Sequence, residues 1–469
     1  MSSNDRTLAL RVLLPGFSGT TLPDDYRALL AAGLGGICYF GSNTAEGADA
    51  TAALSAAIRA ANPRAVIAVD EEGGDVSRLH TRTPSPVLGA AALGAVDDLD
   101  LTEAVGRWVG HELAAVGITL DLAPDVDVNS DPDNPVIGTR SFGTDPERVA
   151  EHAAAWTRGL QSTGVAACAK HFPGHGDTAT DSHLDLPRID VDADTLATRE
   201  LVPFDAAVEA GTRAVMTSHI VVPALDPDRP ATLSPVVLAM LRDVLGFDGV
   251  IVSDALDMAG ASGGRGIPEA AVLALAAGCD LLCIGPDKPA ALVEEVCAAI
   301  LAAVADGGLE HARLAEAAAR VAALDAPLTA AGEPPDRLRQ VEAAAGALLV
   351  EGVLPDLSGA AIVSVATTAN IAVGDVAWGL GPDVTVHPAA PEEVPDGVPL
   401  VVQVRDAHRR PEVLALLDEL SRGGRDVVVV EWGWPGPYDG GLARICTRGS
   451  SGPGVAAVVE VLREAGWTR

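Results

Sequence analysis

Eight short apolar runs, each followed by a polar or Gly-rich break and then an Ala/Leu-rich stretch, limit the folds open to this chain. They are LALRVLLPG, GGICYFG, AVIAVDEEGG, ITLDLAPDVDV, VAACAKHFPGHG, AVMTSHIVVP, GVIVSDALDM and CDLLCIG. Unbroken apolar runs suit strands of a parallel sheet buried on both faces, and eight of them alternating with helices predict a (β/α)8 TIM-type barrel. A doubly wound open sheet is the alternative, but no Gly-rich dinucleotide turn follows an early strand to support it. The opening MSSNDRTLALRVLLPGFSG has an acidic residue ahead of its apolar stretch, no basic region and no small-residue cleavage site. It reads as the first strand and not as a secretory leader, which points to a cytoplasmic protein.

The chain continues past the eighth run with Ala-rich helices, then LTAAGEPPDR, whose Gly and paired Pro read as a linker. A second α/β pattern follows, with AAIVSVAT, PLVVQVRDA, RDVVVVEWGWPG and ARICTRGSSGPG as its strands. A length of 469 residues suits two domains. The expected division is a catalytic barrel over 1–328, a linker and connecting helix over 329–354, and a smaller α/β sandwich-like domain over 355–469. The GSSGPG turn before the last helix could hold an anion, although a lone Gly-rich turn is more often an ordinary one.

Charge narrows the partners. Lys and Arg number 32 against 65 Asp and Glu, a net −33 with acids spread along the whole chain, which argues against nucleic acid or an anionic membrane. No window approaches ~20 uninterrupted apolar residues, so no membrane span is expected. Six cysteines, Cys38, Cys168, Cys279, Cys283, Cys297 and Cys446, lie mostly inside apolar segments without a CxxC pair. Buried free thiols fit that placement better than disulfides or a zinc site. Positive charge is almost all Arg, since Lys170 and Lys288 are the two lysines. Lys170 either falls there by chance or marks a place where a compact ammonium suits better than a planar guanidinium.

In a barrel of this kind, chemistry sits where strands end and βα loops begin. Those ends carry Asp70 with Glu71 and Glu72, Asp125 and Asp127, Lys170 with His171, Ser218 with His219, and Asp254. Asp254 follows the unbroken strand GVIVS, so its carboxylate should emerge at the barrel mouth, placed to attack an electrophilic carbon. Asp257 is read as structural. The segment KHFPGHGDTATDSHLDLP, residues 170–187, admits three readings: a metal cage, an acid/base device or an inert polar loop. His171 and His175 have a helical i, i+4 spacing, but FPG between them breaks the helix that a zinc pair would need. His175, Asp177 and His183 could still ligate a metal from a loop. Alternatively Asp181, two residues before His183, could orient its ring and make it a general acid. With Asp254 opposite, that pair would supply the acid and nucleophile of retaining glycoside hydrolysis.

Five motifs, KHFPGHGDTATDSHLDLP, VDEEGGDVSRL (69–79), NPVIGTRSFG (134–143), MTSHIVVP (216–223) and VSDALDM (252–258), together resemble glycoside hydrolase family 3 and within it the β-N-acetylglucosaminidases. The likeness runs through the whole barrel in order. It implies a retaining exo-β-N-acetylglucosaminidase with Asp254 as nucleophile and Asp181 with His183 as the acid/base dyad. It further implies that Asp70, Arg78, Arg140, Lys170 and His171 hold the sugar, with His219 on the same pocket wall. A small-molecule N-acetylglucosaminide is the implied partner, no metal or organic cofactor is required, and turnover of cell-wall or chitin fragments is the implied setting. Oligomeric state is left open. Asp75 departs from the family pattern, which has a basic residue after EGG in many members, and puts the leaving-group side of the site in question. The rival readings are a β-N-acetylglucosaminide phosphorylase or a β-glucosidase using the same site, a non-catalytic sugar-binding protein, and a metal-dependent hydrolase.

Overall fold

The computed structural model describes residues 3–178, 187–367, 372–374, 376–388, 394–422 and 424–468. Eight parallel strands form the first sheet: β1 (Leu13–Pro15), β2 (Gly36–Cys38), β3 (Val66–Val69), β4 (Leu120–Asp121), β5 (Ala166–Phe172), β6 (Ala214–Thr217), β7 (Val250–Ser253) and β8 (Leu281–Gly285). Hydrogen bonding runs in chain order from β2 to β8 and on to β1, and β1 lies beside β2, so the sheet is a nearly closed TIM-type barrel ringed by helices.

Residue parity divides each strand between two cores. Leu14, Cys38, Val66, Ala68, Ala166, Cys168, Ala214, Met216, Val250, Val252 and Leu281 fill the barrel interior. Their alternate neighbours Leu13, Ile37, Ile67, Val69, Ala167, Val215, Ile251 and Leu282 pack outward against the helices. That two-sided burial is why these strands read as continuous apolar runs, while the period of two still decides which side chain faces the mouth.

The first strand is shorter than expected. Residues Ser3–Arg11 form a helix, and only Leu13–Pro15 enters the sheet. Leu and Ala are strong helix formers, and here they bury against the helices Ala290–Asp306 and His311–Ala322. The fourth run likewise contributes only Leu120–Asp121, because the Pro124 nitrogen has no N–H to give a ladder.

A second sheet has the order β11-β10-β12-β13-β14-β9, made of β9 (Leu349–Glu351), β10 (Ala361–Val365), β11 (Val384–Val386), β12 (Leu400–Val404), β13 (Val427–Glu431) and β14 (Ala443–Cys446). All its neighbours are parallel except β9, which runs antiparallel to β14. Val401, Val428 and Val430 face the helix Gly452–Glu464, whereas Val402, Val404 and Val429 face the helix Pro411–Ser421. Four strands were anticipated here. The two extra ones, β9 and β11, are three residues each and partly exposed, too short to show a pattern. β9 falls inside the stretch read as linker. All six cysteines are buried and unbridged, and no helix among the described residues is long and apolar enough to cross a membrane.

Candidate active site

A cavity of about 380 Å³ opens at the C-terminal mouth of the barrel. Interior parity carries straight into it. Asp70 continues the Val66, Ala68 series, Lys170 continues Ala166, Cys168, and Asp254 continues Val250, Val252, and all three side chains line the cavity. Arg78, Arg140 and His171 line it as well.

Lys170 is buried, and its Nζ lies 2.7 Å from Asp70 Oδ1 and 2.7 Å from Glu72 Oε1. Burial alone would lower this ammonium, but the two carboxylates outweigh it and raise the pKa, so Lys170 stays charged. Glu72 also accepts from the Arg140 guanidinium, at 2.7 Å from Nη2 and 3.0 Å from Nε. Burial works to raise Glu72, yet Arg140 and Lys170 hold it well below the usual carboxylate range. Asp70, Glu72, Lys170 and Arg140 thus form one fixed-charge lattice with both hydrogen-bond donors and acceptors turned toward the cavity.

Behind it lies a second row of acids. Asp127 Oδ2 accepts from His171 Nδ1 at 2.7 Å, which assigns that proton to Nδ1 and leaves Nε2, 3.4 Å from Arg140 Nη2, as an acceptor. Burial, with Arg140 next, lowers His171 to about 4, so the ring is neutral near pH 7. Asp127 Oδ1 also accepts the backbone N–H of His175 at 2.7 Å, and Asn134 Nδ2 donates to the His175 and Gly176 carbonyls. These bonds fasten the start of the loop that follows β5. The loop's glycines are needed for the fit: Gly174 has φ +126, and a side chain at Gly176 would collide with the Val128 carbonyl. Asp177 is tied to Arg199 at 2.5 Å. His175 and Asp177 therefore shape the loop. Asp181 and His183 lie outside the described residues.

Asp125, Asp127 and His171 bring ligand-type atoms within 4.8 Å of one another. Asp127 is already engaged, while Asp125 Oδ2 is buried without a hydrogen-bond partner among the described residues. Asp127 takes three N–H groups, and the Arg140 guanidinium sits 3.4 Å from Asp125 Oδ2 as the local cation. That donor set serves as hydrogen-bond support for His171. Burial followed by Asp127 pushes Asp125 up to about 8, so it can carry a proton at neutrality.

Asp254 stands half-buried at the end of β7, its Oδ1 accepting the Ala255 N–H at 2.7 Å. His219, expected on the pocket wall, is behind it: fully buried, Nδ1 2.9 Å from Thr232 Oγ1 and Nε2 3.0 Å from the Ala255 carbonyl oxygen. Its odd parity, opposite to Ala214 and Met216, turns it away from the cavity, and it holds the residue after Asp254 in place. Asp257 lines the cavity and pairs with Lys288 at 2.7 Å.

The second domain completes the rim. Arg78 donates to the Ala372 carbonyl at 2.7 Å and the Val373 carbonyl at 3.3 Å, and Ala372 lines the cavity. Asp75 binds the two domains: it accepts from Arg405 Nη2 at 2.7 Å, the Ser450 N–H at 3.0 Å and Thr139 Oγ1 at 2.7 Å. The acid in place of a family base thus takes up the interface, and the GSSGPG turn does hold an anion, the carboxylate of Asp75. Sequence reasoning did not assign Glu72, Asp127 or Asp257 to the site; the first two were visible only as acids at strand ends.

Residues 20–324 match the family model described as the glycosyl hydrolase family 3 N-terminal domain. The chain is 34% identical over 385 residues to Beta-hexosaminidase A of Pseudoalteromonas piscicida, covering 73% of this chain and 64% of that protein's length. It is 42% identical over 286 residues to a Beta-hexosaminidase of Chromobacterium violaceum, covering 59% of this chain and 79% of that one. Among solved structures, a glycoside hydrolase family 3 beta-N-acetylglucosaminidase from Paenibacillus sp. str. FPU-7 superimposes with a TM-score of 0.88 at 30% identity, over 98% of this chain and 96% of the other.

Proposed function

Because this chain belongs to glycosyl hydrolase family 3, we propose that its cavity removes a terminal β-linked N-acetylglucosamine by a retaining, two-step displacement. The observation that carries this reading is Asp254: a carboxylate just past the end of a buried strand, lining the same cavity as Asp70, Lys170 and Arg140, whose pairs present fixed donors and acceptors to a sugar. A volume of about 380 Å³ is at the small end of ligand pockets, which run from about 300 to 1,000 Å³, and suits one terminal sugar.

In the first step Asp254 attacks the anomeric carbon while His183, oriented by Asp181, gives its proton to the departing glycosidic oxygen. The carbon–oxygen bond breaks and a glycosyl ester on Asp254 forms. In the second step His183 takes a proton from water, whose oxygen attacks the same carbon and frees Asp254. Asp70 accepts from sugar hydroxyls, and Lys170, Arg140 and Arg78 donate. Neutral His171 offers Nε2 as an acceptor. His219 acts through the Ala255 backbone and positions the nucleophile. The chemistry belongs to the barrel, residues 1–328, and the second domain shapes the rim. The natural setting in this reading is cytoplasmic turnover of cell-wall or chitin-derived fragments.

Aryl β-N-acetylglucosaminide hydrolysis by Asp254→Ala tests the assignment. Loss of turnover by about 10⁴-fold or more with an unchanged circular dichroism spectrum is expected. A rate near that of the unaltered protein would overturn it. Running the same assay with phosphate distinguishes the acceptor: accumulation of a sugar 1-phosphate would replace hydrolysis with phosphorolysis. A chelator should leave the rate unchanged, since no step uses a metal.

A further inference from the structure

Sulfur is concentrated in the sugar cavity. The chain has six cysteines and four methionines, and Cys38, Cys283, Met216 and Met258 all line this one space. Cys38 ends β2 and Cys283 lies in β8, the strands on either side of β1 where the barrel closes, and both point into the interior. A polyol needs strong hydrogen-bonding groups, which a thiol or thioether supplies only weakly.

We propose that Cys38 and Cys283 form a binding site for a thiophilic d¹⁰ cation such as Ag⁺ or Cu⁺, in a cavity that the Met216 thioether also lines, and that its occupation shuts the sugar cavity. Soft thiolate and thioether ligands select such ions over harder ones, and a pair of thiols suits their two-coordinate geometry. At rest Cys38 Sγ donates to the Tyr39 carbonyl at 3.9 Å, and the neighbouring Cys283 side chain, then burial, raises the Cys38 thiol. Binding exchanges thiol protons for the metal: two S–H bonds break, two S–metal bonds form, and two protons leave to solvent, with no change of oxidation state. Asp70, Glu72, Asp254 and Asp257 share the wall with Arg78, Arg140 and Lys170, and Lys288 pairs Asp257, so the wall sets no net positive charge against entry of a small cation. The cavity that admits a sugar also admits the ion, so access needs no opening of the core.

The test uses the full, reduced chain and silver nitrate in chloride-free buffer. Silver retained per chain after desalting is read by native mass spectrometry, alongside the silver concentration that halves each variant's own uninhibited rate. One retained ion per chain is expected, with onset delayed by N-acetylglucosamine. In Cys38→Ser/Cys283→Ser the ion is lost and the half-inhibiting concentration rises by about tenfold or more. Cys297→Ser, in a helix away from the cavity, should behave as the unaltered chain. Equal silver binding and sensitivity in the double variant, or their loss in Cys297→Ser, overturns the proposal. Should the double variant not fold, Cys283→Ala alone is judged by the same metal count. That count does not depend on turnover, so a failure of the glycosidase reading leaves the metal result standing.

Discussion

Glu72, in the loop just past β3, and Glu431, at the end of β13, are both buried carboxylates, one in each domain, and their surroundings drive them in opposite directions. Glu72 faces two cations and is held ionised. Among the described residues the Glu431 carboxylate accepts backbone N–H groups alone, from Asp406 and Gly433 at 2.7 Å and Ala407 at 3.0 Å. Burial, then the nearby Asp406, pushes it up to about 7. The Lys170–Glu72–Arg140 lattice at the mouth therefore keeps its charges constant around neutrality, as a site that must order a polyol requires, while Glu431 in the second domain, like Asp125 behind that lattice, titrates near neutrality.

The largest break in that contrast should come from Lys170→Met. It leaves half-buried Asp70 without its cation and buried Glu72 with Arg140 alone, so a loss of about 3–5 kcal/mol in denaturant unfolding and near-complete loss of turnover are expected. Retained activity would show that the lattice does not order the substrate. Glu431→Gln should act on pH dependence. An unfolded glutamate titrates near ~4.3, so between about pH 4.5 and 7 the folded protein keeps a proton the unfolded chain has lost. Stability then falls as pH rises through that window, by up to roughly 3 kcal/mol from this residue. Asp125 and Glu200, raised to about 8 and about 7, act in the same direction. Melting temperatures from pH 5 to 8 should decline less steeply in Glu431→Gln; an unchanged slope would place the titration elsewhere. Asp75→Ala should have the smallest effect on the chemistry. It strips Arg405 and the Ser450 N–H of their partner, costing about 1–3 kcal/mol, and loosens the rim that holds Arg78. A several-fold rise in KM with kcat nearly kept would match that role, whereas an equal fall in kcat would not.

The barrel was legible because its strands are buried on both faces and each ends in a polar signal. Asp70, Lys170 and Asp254 could be found from that ending alone. Parity sharpens the same reading: counting by twos from Ala214 places Met216 in the cavity and His219 behind it, and counting from Leu281 places Cys283 in the cavity. His171 escapes the rule because the register with β6 shifts between Ala169 and Phe172. Leu8 to Arg11, the start of the run LALRVLLPG, read as strand in the sequence yet lie in a helix, because Leu and Ala runs fit a buried helix equally well. The role of Asp75 was out of reach, since its partners Arg405 and Ser450 stand more than 300 residues along the chain.

The antiparallel strand β9 has a consequence for anyone dividing the molecule. It arrives directly after the helix Arg337–Ala347 and covers the outer edge of β14. A chain begun at the composition seam near residue 355 would lack it, and β14 would present a bare row of N–H and C=O groups able to recruit strands from neighbouring molecules. Beginning before Arg337 keeps that edge capped, so where the second domain starts decides whether it stays single in solution or self-associates.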